Sequence, residues 1–245
     1  MTTAPADHAR TESAARTDAV AQAVPDAILW DMDGTLVDTE PYWMAAETAL
    51  VEAHGGTWTH EQALTLVGQG LETSAGILQA AGVRMAAGEI VAHLSAQVTR
   101  DLSAGPLPLR PGAAEMLADL VAAQIPCALV TMSLRDMARA VVAALPVGTF
   151  AHIVAGDDVA RPKPFPDAYL QACAALGVDP ARAVAIEDSP TGVRAAVAAG
   201  VTTIGVPLMV PLTDSGAHQL WPTLAGRTPS DIAEVFATHG TKGSR

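Results

Sequence analysis

The residues that could do chemistry in this chain lie just past short apolar runs. The first set is Asp31-Met32-Asp33-Gly34-Thr35, two carboxylates around a single residue, directly after Ala27 to Trp30. Thr131 and Ser133 follow Ile125 to Val130. Lys163, in Arg161-Pro162-Lys163-Pro164, comes after Ile153 to Ala155, and Glu187-Asp188 follows Ala183 to Ile186. Each group alone has an ordinary reading. Asp-x-Asp-Gly-Thr could be a turn or a calcium-like loop. Glu-Asp-Ser before a helix is usually an N-terminal cap, and a threonine after a strand usually bonds to backbone. Lys163 alone would be a solvated charge. The ordering lifts the set above these readings, because separate strands deliver acids, a hydroxyl and an ammonium to one edge. Lysine usage adds weight: the chain has only Lys163 and Lys242. A compact ammonium is a good point-charge partner for a phosphate oxygen and an aspartate.

The elements that must position these groups read as an α/β fold. The four apolar runs, with a fifth at Thr202 to Val206, suit strands buried on both faces of a parallel sheet. Helical patterns lie between them at Gly112 to Ala123, Arg135 to Leu145, Pro166 to Leu176 and Thr191 to Ala199. Gly177 and Gly200 fit C-terminal stops, and Ser189-Pro190 fits an N-cap with a first-turn proline. Ligands of open α/β sheets bind at the carboxyl ends of the strands, where these acids, hydroxyls and the lysine fall. Between the first strand and Ala104 no strand is expected. Met44 to Ala53, Glu61 to Val67, Thr73 to Ala81 and Ala87 to Asp101 read as helices, forming an insertion punctuated by glycines. The expected organisation is a Rossmann-like parallel-sheet core of residues 25–39 and 106–236, a helical cap of 40–105, and disordered tails at 1–24 and 237–245.

Bulk properties narrow the class. Half of the 245 residues are hydrophobic, 16% are charged and the net charge is −12. Such a chain can bury a core, and its acidity disfavours nucleic acid and anionic membrane as partners. Cys127 and Cys173 sit in apolar stretches and read as small core residues. No run is long enough for a membrane span, and the N-terminus lacks the apolar centre of a signal peptide. A cytoplasmic protein, monomer or weak dimer, is expected.

The stretches Asp31 to Glu40, Val130-Thr131-Met132-Ser133, Gly156-Asp157-Asp158-Val159 leading to Lys163-Pro164, and Ile186 to Gly192 resemble the haloacid dehalogenase superfamily. The likeness is to its branch of β-phosphoglucomutase and sugar-phosphate phosphatases. It spans about Ala27 to Pro207, and the insertion matches the family's cap. The resemblance implies that Asp31 attacks phosphorus and carries an aspartyl phosphate, splitting one hard step into two. It implies that Asp33 protonates the leaving oxygen and then deprotonates water. It implies Mg²⁺ held by Asp31, the Asp33 carbonyl and Asp188, with Glu187 supporting them. Thr131 and the Met132 amide would hold phosphate oxygens, and Lys163 would neutralise charge beside Asp31.

Within that family the residues separate the branches. Asp33 and Asp188 argue against dehalogenation, which needs neither metal nor second acid. The stretch Pro41 to Leu107 has no lysine for the Schiff base of phosphonate hydrolysis. A mutase needs a cap cation for a second phosphate, yet this cap has only Arg84 and Arg100, and Leu71 stands near the expected arginine position. The expected activity is therefore Mg²⁺-dependent hydrolysis of a small phosphorylated metabolite of the sugar-phosphate kind. A hexose phosphomutase and a non-catalytic phosphometabolite-binding module are the alternatives. Trp43 could stack on a sugar or pack in the core. Gln69, Glu72 and Thr73 could read hydroxyls or form a solvated helix end. His54 reads as a helix-end residue, and Trp58 and Trp221 have no assignable role.

Overall fold

The computed structural model describes residues 24–240. Strands β1 (Ala27–Trp30), β2 (Cys127–Val130), β3 (His152–Val154), β4 (Ala183–Glu187), β5 (Thr202–Gly205) and β6 (Gln219–Leu220) form one parallel sheet in the order β3-β2-β1-β4-β5-β6. Chain order runs outward from β1 on one side and from β4 on the other, so the crevice of the sheet opens around β1. The first five strands match the apolar runs to within two residues. β2 starts at Cys127 because Gln124 takes a left-handed turn (φ 57°) and Pro126 has no N–H to donate to a neighbouring strand.

Helices cover both faces, as a two-sided apolar sheet requires. Alternate strand residues point to opposite layers. Ile28, Trp30, Leu129 and Ile186 pack on α5 (Ala113–Ala122), α6 (Arg135–Ala143) and α9 (Pro229–His239). Leu29, Ala128, Val130 and Ala185 pack on α7 (Asp167–Leu176) and α8 (Pro190–Ala198). The cap is α1 (Glu40–Ala53), α2 (His60–Leu64), α3 (Leu71–Ala80) and α4 (Ala87–Ser103). Its apolar residues, including Leu50, Leu78, Ile90 and Leu94, join the layer of α5, α6 and α9 in one continuous core.

Two expectations need correction. α1 begins at Glu40 rather than Met44, because Pro41 sits in its first turn, where its fixed φ suits a helix start. The expected C-terminal tail overlaps α9, which runs to His239. Thr228 and Asp231 form a hydrogen-bonded N-terminal turn, and Ile232, Val235 and Phe236 bury one face of that helix. The rest of that tail, 241–245, and the N-terminal tail through 23 lie outside the described residues. Strand β6 was not foreseen, since two exposed residues carry no periodic signal.

Candidate active site

Asp31 leaves β1 between β2 and β4, and its backbone N–H donates to the Ile186 carbonyl (3.1 Å). The turn that follows needs glycine at position 34. Its φ is +83°, and a Cβ there would collide with the Asp188 carboxylate. Thr35 Oγ1 donates to Asp188 Oδ1 (3.3 Å), tying the loops after β1 and β4 together.

Lys163 reaches in from the loop after β3. Its Nζ donates to Asp31 Oδ1 (2.7 Å), Glu187 Oε1 (2.6 Å) and the Val130 carbonyl (2.9 Å). All three ammonium protons therefore have partners, and Lys163 is 7% exposed. Burial alone would drive a lysine toward its neutral form. The carboxylates of Asp31 and Glu187 outweigh it and hold the ammonium above its ordinary range. Glu187 is fully buried and its oxygens are occupied. Tyr169 Oη donates to Oε1 (2.6 Å), and Ser189 Oγ and N–H donate to Oε2 (3.2 and 3.3 Å). Gly192 must lack a side chain because a Cβ there would overlap that carboxylate.

Asp33 occupies a separate cradle. Thr39 Oγ1 (2.7 Å) and Trp43 Nε1 (3.2 Å) donate to its Oδ1, while Thr131 Oγ1 (3.1 Å) and Ser133 Oγ (2.7 Å) donate to its Oδ2. Thr131 thus donates its proton to Asp33 here, and its oxygen accepts the Ser133 amide (3.0 Å). Trp43 belongs to this cradle and to the cavity wall; it serves as a donor, which neither reading of it as a stacking or packing ring had included.

Asp31, Glu187 and Asp188 each place a carboxylate oxygen within 4.8 Å of the others, all buried. Burial and the Glu187 charge push the Asp31 carboxyl up to about 8, against the downward pull of Lys163. Burial, then Asp31 and Glu187, raise Asp188 well above the carboxylate range. Carboxylates so strained by mutual repulsion fit a hard divalent cation with oxygen ligands. Because Glu187 is already bonded on both oxygens, Asp31 and Asp188 have the freer ligand atoms. The Asp33 carboxyl lies outside this cluster, which leaves only its backbone carbonyl for such an ion.

These groups face a cavity between the sheet edge and the cap. The core side contributes Asp31, Asp33, Met132, Ser133, Lys163 and Asp188. The cap contributes Glu40, Trp43 and Glu47 from α1, Gln69 and Leu71 ahead of and within α3, and apolar side chains such as Leu66, Val91 and Leu94. Thr191 Oγ1 donates to the Gly68 carbonyl (2.6 Å), fastening the cap loop to the N-terminus of α8. Of the expected hydroxyl readers, Gln69 lines the cavity; Glu72 and Thr73 are exposed and do not. His54 is the C-cap of α1, bonded through Nδ1 to the Leu50 carbonyl (3.0 Å). Trp221 is buried with the Arg227 guanidinium over its ring. Tyr169, Glu40 and Glu47 were not foreseen in the site. Tyr169 carries no sequence signal, but Glu40, Trp43 and Glu47 share the i, i+3, i+7 spacing of one helix face.

The model of the haloacid dehalogenase-like hydrolase family matches residues 25–200. The chain belongs to that family. It is 31% identical over 182 residues to validoxylamine A 7'-phosphate phosphatase of Streptomyces hygroscopicus subsp. limoneus, covering 73% of this chain and 84% of the relative. It is 34% identical over 193 residues to hexitol phosphatase A of Escherichia coli, covering 73% and 81%. Among solved structures, a variant of CbbY from Rhodobacter sphaeroides in complex with xylulose-(1,5)bisphosphate superposes with a TM-score of 0.76 at 30% identity, covering 83% of this chain and 97% of that one. Among the described residues no helix is long and apolar enough to cross a membrane.

Proposed function

We propose that this member of the family is a Mg²⁺-dependent phosphatase that hydrolyses a small phosphorylated metabolite of the sugar-phosphate kind. The observation that carries the reading is the pairing at the cavity floor. Asp31 is fixed by Lys163 with one oxygen unbonded, and Asp33 is cradled beside it by four donors. The free Asp31 oxygen bonds to phosphorus as the ester P–O bond breaks, and Asp33 delivers a proton to the departing oxygen. Asp33 then removes a proton from water, the water oxygen bonds to phosphorus, and the Asp31–phosphorus bond breaks to release phosphate. Lys163 keeps Asp31 oriented and balances negative charge throughout. Asp31, Asp188 and the Asp33 carbonyl would hold Mg²⁺, whose charge offsets that of the phosphoryl oxygens when bound. The closed cap excludes bulk water from these steps.

The names of two relatives agree with this class of substrate: one is a hexitol phosphatase, the other a validoxylamine A 7'-phosphate phosphatase. The cavity lacks the cap cation that a mutase would need for a second phosphate: Leu71 lines it and neither cap arginine does. We place the enzyme in the cytoplasm, in keeping with its two free, buried thiols. Phosphate release from a metabolite panel, with and without Mg²⁺, tests the proposal. Wild type should act on at least one ester only with Mg²⁺, and Asp31→Asn should lose at least ~10³-fold in rate. Equal rates for the two proteins on every ester would refute it.

A further inference from the structure

The cap side of the cavity has a polar wall that the hydrolytic steps leave unused. Glu40 and Glu47 lie seven residues apart on one face of α1, so they stand about 10 Å apart along the helix axis. Glu40 faces the acids of the catalytic loop. Burial, then Asp33 and Asp38, raise its carboxyl to about 7. Glu47 lies two turns beyond Glu40 along α1 and also lines the cavity. It is 5% exposed, and its Oε2 is buried with no hydrogen-bond partner. The Trp58 indole, itself buried without another partner, is the nearest protein donor and favours the charged carboxylate, but it stands outside hydrogen-bond geometry to Oε2. A buried carboxylate oxygen left without a donor costs stability, and such a cost persists where a ligand supplies the missing group.

The surroundings say what that ligand is not. Arg84 and Arg100 are the only lysine or arginine side chains between 40 and 103. Arg100 bonds to Gln97, and neither arginine lines the cavity, nor do His54, His60 or His93. A second phosphate at the far end would meet Glu47, Ser74 and apolar side chains with no cation to balance it. We propose that Glu47 is a specificity residue that accepts a hydrogen bond from a hydroxyl or amino group at the far end of a singly phosphorylated substrate, and that it rejects bisphosphates. This rests on the phosphatase reading above. Hydroxyl and ammonium donors share the chemistry, and one substitution tells them apart.

The experiment compares kcat/KM for glucitol 6-phosphate, glucosamine 6-phosphate, n-hexyl phosphate and fructose 1,6-bisphosphate. n-Hexyl phosphate has similar length without far-end donors. Wild type should prefer glucitol or glucosamine phosphate over both hexyl phosphate and the bisphosphate by about tenfold or more. Glu47→Leu should collapse the ratio to hexyl phosphate by about tenfold while the melting temperature holds or rises. Glu47→Gln should keep the ratio for a hydroxyl donor and lose it for an ammonium. A lowered melting temperature with an unchanged ratio would mean that Glu47 only packs against Trp58, and the inference would fall. Preference of wild type for the bisphosphate would also overturn it. Equal residual rates in wild type and Asp31→Asn would instead remove the hydrolytic reading. Equilibrium titration of the same four esters onto Asp31→Asn then still reads the far-end preference.

Discussion

The floor and the roof of the cavity are built on opposite rules. On the floor, polar groups are bonded to one another: Lys163 uses all three protons, Glu187 both oxygens, and Asp33 receives four donors. On the roof, apolar side chains surround the Glu47 carboxylate, whose Oε2 has no donor in hydrogen-bond geometry. The difference separates two tasks. Charge developing in a reaction is best met by dipoles already fixed in place, and a saturated network provides that rigidity. Selection among substrates needs groups left open for the substrate to complete.

The largest effect should come from opening the floor. Lys163→Ala leaves Asp31 and Glu187 buried without their cation. It should cost about 3–5 kcal/mol in urea unfolding, along with most of the activity. If stability were unchanged, the floor would not be the tightly coupled unit described here. The roof should respond with the opposite sign. Burial pushes Glu47 up to about 8 from 4.5. Below 4.5 the folded and unfolded chains both carry its proton. As pH rises toward 8 the unfolded chain releases the proton while the folded one keeps it, so this group lowers stability progressively. Glu47→Gln should therefore gain ~2 kcal/mol at pH 8 and nothing below 4.5, as read by thermal unfolding across that range.

Trp43 spans the two regions, since it belongs to the cap yet donates to Asp33. Trp43→Phe keeps the ring and removes one of four donors. It should lower kcat by about tenfold with KM little changed, because Asp33 loses one of the four donors that orient it. An unchanged kcat would detach the cap from the acid–base group. The smallest effect should be at Glu72, which is exposed and does not line the cavity. Glu72→Ala should stay within ~0.5 kcal/mol in stability, with kcat/KM unchanged on the best ester.

The same contrast explains what could be read in advance. The floor is legible because its groups sit at strand ends and strand order is written in the apolar runs, so Asp31, Asp33, Thr131, Lys163 and Asp188 converge as the spacing suggests. The partner of Glu187 was not legible, because Tyr169 lies inside an ordinary amphipathic helix and only the fold brings it under Lys163. The roof was harder still. Gln69 and Glu72 are near neighbours in sequence, but Gln69, in the loop ahead of α3, lines the cavity, while Glu72, in the first turn of α3, is exposed. Glu47 resembles any surface acid of a helix until the fold buries it beside Trp58. α9 shows the complementary case: its Thr228-Pro229 start and Ile232, Val235, Phe236 stripe were present in the sequence, but proximity to the chain end masked them.

The central claim is that Asp31 carries the phosphoryl group and Asp33 handles the protons. Asp33→Asn, mixed rapidly with 4-nitrophenyl phosphate and Mg²⁺, isolates the first step, because that leaving group departs without a proton. The account predicts a burst of one nitrophenolate per enzyme and, after acid quench, a phosphoryl group on the peptide bearing Asp31. Slow release with no burst and no protein-bound phosphate, or a phosphoryl group on another residue, would contradict it.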